Sequence, residues 1–171
     1  MKLRALLVAL VAAGATFGVA AQPVAAAPKP FSKKEVTVTR AWNAPATVAG
    51  VRYARHKGYD RVVVDLKGPF PGYTIRWVKK LISDGSGMPY NVKGKAFLEV
   101  RLGWARAHTD AGKPTWAGGP IYKADLGNLT RVVRTGDYEG YVTIGLALKK
   151  KAGFRVLEQK QPDRIVIDVA H

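Results

Sequence analysis

Apolar residues along this chain recur most often at every second position, in short runs bounded by Gly, Pro and Asn. Val62, Val64 and Leu66 would share one face of a strand, leaving Arg61, Val63 and Asp65 on the other. Tyr73, Ile75 and Trp77 alternate with Thr74 and Arg76, and Ala96, Leu98, Val100 and Leu102 alternate with residues that include Glu99 and Arg101. Period two is the mark of half-buried strands, because successive side chains leave a strand on opposite faces. Further strands are expected at 36–40, 48–54, 129–135, 141–148, 154–158 and 164–169. No stretch of helical length keeps apolar spacings of three and four free of Gly, Pro or a β-branched run, so helices should be few or short. Turn signals such as Lys67-Gly68-Pro69, Asp84-Gly85-Ser86-Gly87 and Thr135-Gly136-Asp137 separate the runs. The pattern predicts an all-β chain, a β-sandwich of short and mostly antiparallel strands.

One stretch occurs twice. Asp60-Arg61-Val62-Val63-Val64-Asp65-Leu66 returns as Asp163-Arg164-Ile165-Val166-Ile167-Asp168-Val169, identical or aliphatic for aliphatic at every position. The copies are too far apart for a tandem repeat and suggest two related strands in a pseudo-symmetric sandwich.

The N-terminus follows a different grammar. Lys2 and Arg4 precede an uncharged run, 5–21, rich in Leu, Val and Ala, and small residues follow up to Ala27. These are the three regions of a secretory signal, and the apolar run falls short of the roughly 20 residues that span a bilayer. Cleavage is expected after Ala26, dividing the chain into a signal peptide (1–26), a short flexible lead (27–34) and one domain (35–171). The product would be secreted, extracellular or associated with the cell wall, with no transmembrane segment.

Composition narrows the chemistry. The 171 residues include 28 Lys and Arg against 12 Asp and Glu, a formal charge of +16 that falls by two, to +14, when Lys2 and Arg4 leave with the signal. A hydrophobic fraction of 47% belongs to a folded domain and not to a disordered polycation. The absence of cysteine excludes disulfides, thiolate metal sites and a cysteine nucleophile. Such a charge favours polyanions, but no nucleic-acid-binding signature accompanies it, and nucleic acid is not the expected partner.

Catalytic constellations are thin. The serines are Ser32, Ser83 and Ser86, and Gly85-Ser86-Gly87 reads as a turn without the strand-to-helix elbow of serine hydrolases. His108 and Asp110 could supply two metal ligands from one strand face, but a zinc site needs at least one more, and 107–119 reads as a polar loop. Asp65 and Asp168 are the one carboxylate pair that the repeat would bring together; each is expected to pair with the arginine four residues earlier, Arg61 and Arg164. Neither a catalytic residue, a metal nor a cofactor is expected.

Rings interleaved with cations are more informative, since ring faces stack on sugars and cations attract polyanions. Trp77, alternating with Tyr73 and Ile75, is assigned to the core. Trp104 and Trp116, in Gly-rich connections, are expected to be exposed. Together with Arg106, Lys149, Lys150 and Lys151 they form the expected ligand-binding set.

Phe154-Arg155-Val156-Leu157, followed by Gln161-Pro162-Asp163-Arg164-Ile165-Val166-Ile167-Asp168-Val169, resembles the closing motif of AMIN domains, β-sandwich modules of bacterial envelope proteins. A longer pattern is similar to the AMIN-like domain of secreted actinobacterial proteins: Gly50-Val51-Arg52, Gly58-Tyr59-Asp60-Arg61-Val62-Val63, Pro71-Gly72-Tyr73, Asp84-Gly85-Ser86-Gly87, 140–148 and Asp168-Val169-Ala170-His171. The likeness covers about 48–171. It implies a non-catalytic module, which in AMIN proper targets proteins to peptidoglycan or envelope machinery. AMIN domains usually accompany an amidase or a secretin, and no such segment follows His171, so a free-standing module is expected. Its partner would be a cell-wall polysaccharide, another anionic envelope polymer or an envelope protein. The alternatives are a secreted hydrolase of wall polymer, or a basic interaction protein held at the envelope by charge.

Overall fold

Residues 29–41 and 44–171 are described by the computed structural model, and the expected signal peptide lies outside them. Each alternating run is a strand. In chain order the strands are β1 (Val36–Val38), β2 (Ala46–His56), β3 (Tyr59–Lys67), β4 (Gly72–Val78), β5 (Ala96–Gly103), β6 (Ala105–Arg106), β7 (Ile121–Lys123), β8 (Leu129–Tyr138), β9 (Tyr141–Leu148), β10 (Phe154–Gln159) and β11 (Arg164–Ala170). Among the described residues there is no helix. In the part of the expected lead that is described, Ser32 exchanges backbone hydrogen bonds of 2.8 and 2.9 Å with Phe154.

The strands form a six-stranded sheet, β1-β4-β5-β9-β8-β7, and a five-stranded sheet, β10-β11-β3-β2-β6. All neighbours are antiparallel except β2 and β6. The core lies between the two sheets. Val62, Val64, Ile165 and Ile167 meet Ile75, Leu98, Val100, Ile144 and Leu146, all at most 1% exposed. Each such side chain contributes roughly 1.5–3 kcal/mol by leaving water. A bulge between Val48 and Gly50 shifts the register of β2, so that Val48 and Val51 both pack inward.

The two copies of the repeated heptapeptide lie side by side. β3 and β11 pair antiparallel with Val63 opposite Val166, Arg61 opposite Asp168 and Asp65 opposite Arg164, so the motif is complementary to itself. The expected same-strand ion pairs do not form, because four residues of strand span about 13 Å. Pairing runs across strands. Asp168, wholly buried, receives Arg61 Nε at 2.7 Å and Arg155 Nε at 2.8 Å. Burial alone would raise its carboxyl pKa, but the two guanidiniums outweigh that and hold it below the usual carboxylate range. Asp65 is taken by Arg52, through Nε at 2.6 Å and Nη2 at 2.7 Å.

The outer faces of the two sheets differ. Over the six-stranded sheet runs the connection 79–95, whose Leu81 is buried and whose Asp84 accepts the Thr143 hydroxyl at 2.5 Å. Gly145 makes room for it, since a Cβ there would stand 2.5 Å from Leu81 Cδ1. The outer face of the five-stranded sheet instead carries Arg52, Arg61, Arg155 and Arg164, one each from β2, β3, β10 and β11.

Candidate functional site

A single residue, Trp104, separates β5 from β6 and carries the chain from one sheet to the other. It turns there with φ +54°, in the left-handed region that costs a residue with a Cβ roughly 1–2 kcal/mol. Backbone bonds on both sides hold it: its carbonyl accepts Ala46 N–H at 3.0 Å, and Ala105 N–H donates to the Gly140 carbonyl at 2.8 Å. Trp104 remains 38% exposed.

Beside it stands the turn joining β8 to β9. Glu139 and Gly140 have φ of +50° and +77°, the two-residue geometry whose twist suits a hairpin. Gly140 is also where the Trp104 ring rests, since a Cβ at 140 would lie 3.4 Å from its Cε3. Tyr138, on the same hairpin, is 55% exposed.

Between the hairpin and the sheet corner lies a cleft of about 440 Å³, lined by Pro45, Trp104, Ala105, Arg106, His108, Asp137, Tyr138, Glu139 and Gly140. Three of its polar side chains are fixed. Asp137 accepts Ala107 N–H through Oδ1 at 3.1 Å and lies 2.7 Å from His108 Nδ1 through Oδ2. Arg106 bonds Thr47 Oγ1 through Nε at 3.4 Å and pairs with Asp110, which therefore does not join His108. Two exposed aromatic residues flanked by a guanidinium, an imidazole and a carboxylate offer what a sugar ring needs: faces to stack on and donors and acceptors at the rim.

Trp104 and Arg106 both line this cleft, but the rest of the expected set does not join them. Trp116 was expected to be exposed and is buried, at 6%. Its ring stacks on Tyr122 at 4.6 Å and 9°, and its carbonyl accepts Arg134 Nη1 at 2.9 Å. A Gly-rich connection let the indole fold inward, which composition could not reveal. Lys149, Lys150 and Lys151 follow β9 at the end where Leu148 pairs with Ala96, whereas Trp104 follows Gly103 at the other end of β5. At 3.4 Å per residue the two places are about 24 Å apart. Lys149 Nζ donates to the carbonyls of Leu126 and Gly127 at 2.7 and 2.9 Å, which ties down a turn. Lys151 lies over Trp77, 5.4 Å from the ring centre, and Trp77 itself packs partly buried against the core as assigned.

Tyr138 and Asp137 are members of the cleft that sequence reasoning left out, and His108 it weighed only as a metal ligand beside Asp110. A signal for the first existed, a tyrosine beside Glu139-Gly140 between two strands, but Glu-Gly is a weaker turn mark than Asn-Gly. Ser83 and Ser86 accept backbone N–H groups within 83–88, as turn residues do. Among the described residues no group of three or more His, Cys, Asp or Glu could hold a metal ion, and no helix is long and apolar enough to cross a membrane.

Compared with known proteins, the chain matches one family model, the AMIN-like domain, over residues 46–171. No curated protein and no solved structure matches it.

Proposed function

Because the chain belongs to the AMIN-like domain family, we propose that it is a secreted, non-catalytic module that binds the bacterial cell envelope and engages wall polysaccharide through the Trp104 cleft. The observation that supports this reading best is Trp104 itself. An exposed indole held in a backbone conformation unfavourable to it, beside a second exposed ring, is a local departure of the kind that clusters at binding sites. The cleft supplies stacking and hydrogen bonding, and the formal charge of the whole chain supplies attraction to anionic polymer at long range. Titrating soluble wall glycan into the purified protein while following indole emission tests this. A saturable change lost in Trp104→Phe, with the domain still folded, is the expected result; an unchanged response would refute the cleft.

One observation favours a hydrolytic reading, the His108–Asp137 hydrogen bond at the cleft, since an imidazole oriented by a carboxylate is the base of many hydrolases. Release of soluble fragments from wall material, abolished by His108→Ala, would establish it.

A further inference from the structure

The outer face of the five-stranded sheet holds a second cleft, of about 370 Å³, which shares no lining residue with the Trp104 cleft. Arg52, His56, Arg61 and Arg164 line it, with Val63 and Val166 at its floor. The neighbouring carboxylates are fully engaged: Asp168 by Arg61 and Arg155, and Asp65 by both arms of Arg52. By the symmetry of the repeated motif, Arg164 stands opposite Asp65 as Arg61 stands opposite Asp168. The symmetry fails at this one point. Arg52 takes the carboxylate that Arg164 would have had, and Arg164 Nε is left buried with no hydrogen-bond partner among the described residues.

A buried guanidinium nitrogen without an acceptor is costly. The groups around it determine what could relieve the cost. Arg52 and Arg61, held by Asp65 and Asp168, stand with Arg164 beside an apolar floor, and such a group suits an oxyanion, which can accept two parallel N–H bonds from one guanidinium. We propose that this cleft is an oxyanion site, in which Arg164 and Arg52 hold a phosphate or carboxylate group while Arg61 contributes charge from its place on Asp168. Arg52 has two roles: it is bound to Asp65, and by that bond it keeps Asp65 from Arg164.

The test is an NMR titration of the purified protein at constant ionic strength, following the side-chain Nε–H resonances of arginine, with inorganic phosphate in one series and glucuronate in another. A saturable shift of Arg164 Nε–H is expected, with a dissociation constant on the order of millimolar for a single small anion. Saturation by phosphate alone or by glucuronate alone supports the site and names its source, and saturation by both supports a general oxyanion site. Arg164→Gln should weaken binding at least tenfold. Arg52→Gln, which leaves β11 untouched, should also weaken it several-fold, because Asp65 is then free to capture Arg164; Asp65→Asn should strengthen it. The proposal is overturned if neither probe saturates, or if Arg52→Gln and Asp65→Asn both bind as the wild type does.

Discussion

Asp60 and His171 are 111 residues apart in the chain, yet His171 Nε2 lies 2.9 Å from Asp60 Oδ1. Asp60 is wholly buried at the start of β3, and the same carboxylate accepts the backbone N–H groups of Gly127, Asn128 and Leu129 at 3.1, 2.6 and 2.7 Å. One side chain thus ties together the first β-hairpin, the turn before β8 and the residue after β11. Asn128 reinforces the junction, donating through Nδ2 to the Ala170 carbonyl at 2.9 Å.

Asp60→Asn should lower stability by about 2–4 kcal/mol, since an amide replaces one of the two acceptor oxygens by a donor facing the backbone N–H groups. Urea unfolding measures it. Loss of less than about 1 kcal/mol would mean that the turn holds without the carboxylate.

The same residue predicts a pH dependence. Burial would raise the Asp60 pKa, but the three backbone N–H groups and His171 outweigh it and hold the carboxyl below its ordinary value. Asp168 is lowered likewise. A depressed folded pKa stabilises fully above the unfolded value, about 3.9, and the contribution is lost as pH falls through the folded pKa. Stability should therefore fall progressively in acid below about pH 4, and the Asp60→Asn profile should be flatter but not flat, because Asp168 still titrates. Denaturant midpoints from pH 7 to pH 2 would check this.

Asp168→Ala should cost about 3–5 kcal/mol, because it leaves Arg61 and Arg155 without their carboxylate in a half-buried setting. Glu99→Ala, which removes the exposed pair with Arg76, should cost under about 1 kcal/mol. Equal losses in thermal unfolding would refute the distinction between covered and solvated pairs.

In the core, Ile167→Ala should cost about 2–5 kcal/mol, since Ile167 is wholly buried on the inner face of β11. A variant melting with the wild type would contradict its place between the sheets.

At the cleft, Trp104→Gly and Trp104→Ala separate backbone from ring. Both lose the indole, but only glycine is at ease at φ +54°, so the Gly variant should be more stable than the Ala variant by about 1 kcal/mol. A more stable Ala variant would contradict the left-handed corner.

β3 and β5 were legible because Val62, Val64 and Leu66 on one, and Leu98, Val100 and Leu102 on the other, are buried in alternation with less buried residues, whereas β9 and β11 are buried on both faces and were legible as β-branched or apolar runs bounded by turns. β6 and β7 were not, since two or three residues carry no period, and β6 exists because β2 offers it an edge. Trp104 and Arg106 could be found in sequence because they are near neighbours. His108 and Asp137 could not, because a fold-dependent meeting of a loop and a hairpin joins them. Arg164 illustrates the same limit: the repeat announced its strand, but Arg52 on a third strand decided what it pairs with.

The most direct measurement of the central claim is retention of the purified protein on isolated wall sacculi across a salt series, comparing wild type with Trp104→Ala and with a variant whose Lys149, Lys150 and Lys151 are glutamine, each verified as folded by circular dichroism. Wild-type retention should fall with salt as charge is screened over about 8 Å at physiological ionic strength. The glutamine variant should lose retention mainly at low salt, and Trp104→Ala should lose it at high salt too, because stacking on a sugar is little screened. Retention of Trp104→Ala equal to wild type at every salt concentration would contradict the Trp104 cleft as the binding site.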